Sequence, residues 1–254
     1  MPMEKLHYFD CNCSIGRVRY PHIYDIPGTS GLLKEMDTAG IEEALVYHTV
    51  AKEADPVLGN SLLYKEIEGH ERLHPVWVLV PHHCGEFPEP KKMLKELETN
   101  GVKAVKMFPT KDHHSFSLET WCSGELLSAL EEAYIPLMLD IEIVWWETIA
   151  RLLAAYPKLP LIVVDANYRH NRFMYPLFER HENLYVELSR HFGAGVLEDV
   201  VKRFGSHPLL FGTNMPRYTG TAAVSFLTYA DIPRKDKQAI AGENLRKLLE
   251  KAFS

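Results

Sequence analysis

Cysteine is scarce in this chain: four residues in 254, at positions 11, 13, 84 and 122, with no Cys-x-x-Cys pair. That pattern argues against a disulfide framework and for reduced thiols. Long apolar runs are missing too. No stretch approaches the roughly 18–20 apolar residues a membrane helix needs. MPMEKLHYFD has no signal-peptide apolar region, so the expected location is the cytoplasm. Positive charge is not in excess either: the formal net charge is −6, which leaves no basic face for nucleic acid. No glycine-rich phosphate loop follows the first apolar run, which speaks against a nucleotide-binding doubly wound sheet.

What is present is a repeating pattern. Short apolar runs at 7–16, 42–50, 74–83, 101–109, 135–143, 159–168, 183–191 and 207–216 read as strands, and segments of helical periodicity separate them. One example is PEPKKMLKELETNG, which opens on prolines and closes on Gly101. Strand and helix alternate at about 30 residues per unit, the spacing of parallel strands joined by right-handed crossovers. Eight such units close as a (β/α)8 TIM barrel, an α/β fold here expected as a single domain over residues 1–254.

In such a barrel the chemistry gathers at the strand ends. In the first run, strict alternation puts Tyr8, Asp10, Asn12 and Ser14 on one face and Phe9, Cys11 and Cys13 on the other, toward the helices. Later strands bring His48, His82, Lys106, Asp140, Glu142, Asp165, Glu187 and Asn214 to the same mouth. Several carboxylates in one pocket cannot all stay ionised cheaply, which suits acid–base work. Asp140 or Asp165 is then the candidate to activate water, with Lys106 as the third catalytic candidate. Asn12, Ser14, His48, His82, Glu142 and Asn214 are the candidate substrate-binding groups, joined by Arg17 from the loop after the first strand, with Arg19 nearby. Lys106 has two readings, as counter-ion to Asp140 or as a Schiff-base amine. Asp10 reads as a hydrogen-bonded structural group, and Trp145 and Trp146 as core.

FDCNCSIGR, GVKAVKMFP, IPLMLD, YPKLPLIVVDANY, LLFGTNMP and GENLRKLL, in this order, resemble the amidohydrolase superfamily, specifically the amidohydrolase-related branch of TIM-barrel hydrolases and decarboxylases. Members with metal chemistry carry Asp-x-His-x-His on the first strand, histidines at the tips of the fifth and sixth, and an aspartate on the eighth. The matching positions here are Asn12 and Ser14, Asp140, Asp165 and Asn214, and all five depart from the pattern. With the imidazoles gone, the resemblance implies a degenerate metal site and no cofactor. The alternative is a hard divalent cation, Mg²⁺ or Ca²⁺, on the oxygens of Asp140, Asp165, Glu142, Glu187, Asn12 and Asn214. A soft-metal site would instead combine Cys11 and Cys13 with His82, His83 and Cys84.

The implied activity is a metal-independent hydrolase acting on a small carbonyl compound, lactone- or ester-like, by acid–base chemistry. A barrel that binds a small molecule or partner without turnover is the competing reading. The expected partner is a small molecule, with neither nucleic acid nor membrane, and homo-oligomerisation is left open.

Overall fold

A computed structural model describes residues 5–17 and 28–254. Most of the loop expected after the first strand, Arg19 included, lies outside the described residues. Parallel strands run in chain order from β1 (Tyr8–Ile15) and β2 (Ile41–His48) through β3 (Leu73–Pro75) and β4 (Trp77–Val78) to β5 (Val105–Lys106), β6 (Leu137–Asp140), β7 (Leu161–Val164), β8 (Leu184–Glu187) and β9 (Leu209–Leu210). β3 and β4 are one barrel strand interrupted at Val76, whose amide still reaches the Val46 carbonyl at 2.8 Å. Eight strands therefore form the wall, as the sequence pattern predicts. The ring closes where Cys11 N donates to the Phe211 carbonyl (3.0 Å) and Ser14 N to the Met215 carbonyl (2.9 Å).

The strands are short and apolar on both sides because both sides are covered. Phe9, Leu45, Val76, Val78, Ala104, Phe108, Met138, Ile162, Val164 and Leu210 pack together as the barrel filling. The intervening residues, such as Val46, Leu79, Val105, Leu139, Val163 and Val186, pack outward against the helices. Leu245, Leu248 and Leu249 of the final helix (Asn244–Glu250) join the inner cluster and seal the end opposite the strand tips.

β1 departs from strict alternation. Its pairing with β2 shifts register between Asp10 and Cys13, a bulge that turns the strand by one residue. Tyr8 consequently faces outward, its hydroxyl 2.8 Å from Thr228 Oγ1, whereas Cys11 belongs to the inner filling. Cys13 packs in the outer layer, so the two thiols face opposite ways and the soft-metal reading loses its pair. Trp146 is core, but Trp145 stands about half exposed, against the expectation that both are buried. The described residues hold no helix long and apolar enough to cross a membrane.

Candidate active site

Three acids repeat one local device. Each side chain accepts a hydrogen bond from the backbone amide two residues on: Asp10, inside β1, from Asn12 N (2.9 Å), and, at the strand tips, Asp140 from Glu142 N (2.9 Å) and Glu187 from Ser189 N. In Asp140 and Glu187 the bond ends the ladder, in Asp10 it sits at the register shift, and in all three it fixes where the carboxylate sits.

For Asp10 that is the whole role. Its oxygens are taken by Asn12 N, Thr213 N (3.1 Å) and Thr213 Oγ1, which tie the first strand to the last.

Asn12 and Ser14, beyond the bulge, do reach the pocket. Asn12 Oδ1 accepts from Lys106 Nζ at 2.8 Å, and both residues are nearly sealed, 2% and 3% exposed. The Asn12 amide nitrogen is buried with no hydrogen-bond partner among the described residues. Lys106 Nζ lies 4.7 Å over the Tyr47 ring and 5.6 Å over Phe108. Burial lowers its pKa, against the pull of the Asp140 charge. Burial likewise pushes up the Tyr47 phenol, which hydrogen-bonds Ser14.

Asp140, Glu142 and Asp165 bring carboxylate oxygens to within 4.8 Å of one another. Asp165 is fully buried and accepts from Asn214 Nδ2 (2.9 Å), Ser189 Oγ (3.3 Å) and Arg217 Nη1 (3.0 Å). Burial and the Asp165 charge raise the Asp140 carboxyl. Glu142 is exposed. Its desolvation is outweighed by the Arg190 hydrogen bond and the Arg217 charge, which hold it low. Behind Asp165, Glu187 has no exposure; burial, then the Asp165 charge, raise it to about 8. Asp165 (φ 62°) and Asn214 (φ 55°) both adopt the left-handed backbone that non-glycine residues rarely take, and such strain concentrates at functional sites.

The structure does not bring every expected residue here. His48 starts helix α2 (Thr49–Glu53): its Nδ1 accepts from Val50 N at 3.1 Å, so Nε2 carries the proton toward Glu66, 3.2 Å away. His82 faces Glu125 at 3.7 Å and stacks with His83. Arg17 is exposed, held through its carbonyl by Thr49 Oγ1 (2.8 Å). None of these three belongs to the acidic cluster. Conversely, Arg190 and Arg217 belong to the cluster and were not expected. Both lie past the strand ends, where period-two reasoning stops; the only signal was Arg217 three residues beyond Asn214.

Residues 61–251 match a protein family described as Amidohydrolase. No curated protein matches the chain. Among solved structures, the chain is similar to an uncharacterized TIM-barrel protein from Bordetella bronchiseptica at 17% identity and TM-score 0.74, covering 98% of this chain and 100% of that one. It is similar to a 2,6-dihydroxybenzoate decarboxylase from Rhizobium at 15% identity and TM-score 0.74, covering 97% and 99%. A third is a dihydroxybenzoic acid decarboxylase from Polaromonas sp. JS666 with bound manganese and 2-nitroresorcinol, at 13% identity and TM-score 0.70, covering 97% of each chain. Likeness at such identities speaks for the fold.

The expectation of a pocket without metal does not stand. A barrel of this fold holds manganese, and three carboxylates here already converge. Loss of imidazoles removes a zinc-type donor set, but it leaves an oxygen set of the kind hard cations take.

Proposed function

Because the chain belongs to the amidohydrolase family, we propose that it is an enzyme that removes a carboxyl group from a small carboxylic acid, with a hard divalent cation held by Asp140, Glu142 and Asp165. The donor set fits such an ion: every ligand is a carboxylate, and Asp140 has no cationic side chain within 4.0 Å among the described residues. A cation there would draw electron density from a substrate oxygen.

The observation that carries the reading is the pair Asn12 and Lys106. Among the described residues Asn12 Nδ2 is a buried donor with nothing to donate to, beside Lys106, an amine whose pKa burial lowers. A buried orphan donor costs about 1–3 kcal/mol unless an acceptor arrives, so this pocket is built to receive an oxygen. Asn12 orients that oxygen. Lys106 then supplies the proton to the carbon that loses its carboxyl group, since a lysine brought toward neutrality is a competent general acid. Hydrolysis, expected from the resemblance, asks instead for a free base facing water. Asp165 already accepts from three donors, so it does not stand as a free base, and a cation there would take the place of Arg217 on Asp165 and Glu142.

Chelator-treated protein titrated with Mn²⁺ should bind one equivalent, and Asp165→Asn or Asp140→Asn should weaken binding by about tenfold or more. Hydroxybenzoates and lactones are then screened, with CO₂ and acid release read separately. Release of acid alone selects hydrolysis. Ligand binding without turnover selects a recognition module. Absence of both cation binding and turnover overturns the reading.

A further inference from the structure

Of the two readings of Lys106, Schiff-base amine and counter-ion to Asp140, the second would place it on Asp140. It does not touch it: among the described residues no carboxylate oxygen lies within 4.0 Å of its Nζ. Its one hydrogen bond goes to a neutral amide oxygen, that of Asn12. A second amine acts on it: Lys52 Nζ sits 5.3 Å from the centre of the Phe108 ring that Lys106 flanks at 5.6 Å, and its charge lowers the Lys106 pKa. A lysine that is 3% exposed, lacks an ion-pair partner, and has another ammonium as neighbour is in the surroundings that make an amine a nucleophile.

We propose that Lys106 condenses reversibly with the carbonyl of a small oxo acid, forming a Schiff base in the barrel mouth. The Nζ lone pair adds to the carbonyl carbon, and the C=O π pair moves to oxygen. A proton passes from nitrogen to oxygen through the pocket. Loss of one water from the carbinolamine then leaves the C=N bond, with no net oxidation or reduction. Asn12 Nδ2, unpartnered and buried, is the donor for the carbonyl oxygen as it becomes hydroxyl. Arg217, which bridges Glu142 and Asp165, and Arg190, on Glu142, are the guanidinium groups that would take the acid's carboxylate in exchange for one of these partners. The charged groups acting on Lys106 are Asp140 from β6, Asp165 just past β7, Glu187 from β8 and Lys52 from α2. Burial outweighs the three acids, leaving the amine below its usual range. This goes beyond the decarboxylase reading, because it needs neither a cation nor turnover.

The test is borohydride trapping in the presence of chelator, with pyruvate, acetoacetate and glyoxylate as probes, read by peptide mass analysis. Lys106 should carry the reduced adduct at about ten times the level of the exposed Lys91, Lys111 and Lys158, because a buried amine without an ion-pair partner keeps more of its neutral, nucleophilic form than a solvated one. Asn12→Asp places a carboxylate on Nζ, so trapping on Lys106 should fall about tenfold near pH 7 and return in more alkaline buffer, while the melting temperature shows the variant is folded. Adducts spread evenly over exposed lysines, an unmodified Lys106 with all three probes, or equal trapping in Asn12→Asp each overturn the proposal. Because no cation is present, trapping without Mn²⁺ binding would remove only the earlier reading, and Mn²⁺ binding without trapping only this one.

Discussion

Gly212 leaves no room for a side chain. A Cβ there would stand 2.4 Å from Glu187 Cγ, so the glycine lets the last strand press onto the buried acid. Gly212→Ala should destabilise the protein by about 1–3 kcal/mol, and an unchanged urea midpoint would disprove the contact. Asn214 offers a second test at this scale. Its left-handed backbone and its bond to Asp165 are separate contributions, so Asn214→Gly should lose only the bond and Asn214→Ala both. The alanine variant should be less stable than the glycine variant by about 1 kcal/mol in equilibrium unfolding. Asp140, Asp165 and Asn214 were legible in the sequence because each ends an apolar run, and Asn12 and Lys106 because period-two alternation places them on an inner face. Arg190 and Arg217 were not: they sit in turns, where no period says which way a side chain points.

Among the elements, helix α3 (Pro56–Ile67) shows what local chemistry secures. Asp55 accepts from Leu58 N at 2.9 Å and Pro56 occupies the first turn. Asp55→Ala should cost about 1 kcal/mol of stability and Asp55→Asn much less, as chemical denaturation can check. Gly59 of the same helix packs where a Cβ would stand 2.1 Å from Ala51 N, which lets α2 and α3 touch backbone to backbone. Helix limits and strand positions follow from apolar period, proline and glycine, and they were readable. The bulge in β1 was not. Alternation assumes an unbroken pairing register, and a single extra residue between Asp10 and Cys13 inverts the side on which Tyr8 and Cys11 are found. His48 misled for a related reason: an imidazole at a strand tip serves equally as a helix cap, and only its neighbours decide.

For the whole molecule, two buried groups give stability opposite dependences on acidity. Burial depresses His191 from the ordinary 6.5 to about 4. A depressed base contributes fully above its unfolded pKa and loses that contribution as pH falls through 6.5 toward 4. Asp10, raised by burial from 3.8 to about 6, contributes fully below 3.8 and loses it as pH rises through about 6. His191→Gln should therefore lose less stability than the parent between about pH 7 and pH 4, and Asp10→Asn less between about pH 4 and pH 7. Unfolding midpoints across that range decide both, and parallel curves for parent and variant would refute either assignment. The barrel itself was legible because eight apolar runs at even spacing admit few other closures. The metal expectation failed because it weighed the missing imidazoles above the carboxylates Asp140, Glu142 and Asp165, which the alternative reading already named as hard-cation ligands and which neighbouring strands bring together.

The joint between Cys11 and Phe211, and between Ser14 and Met215, has one more consequence. A ribosome releases the first strand long before the last, so through most of synthesis β1 keeps one raw edge with no mate. Nascent chains arrested short of Met215 should then adhere to one another or to chaperones, and completion of that final staple should end their stickiness.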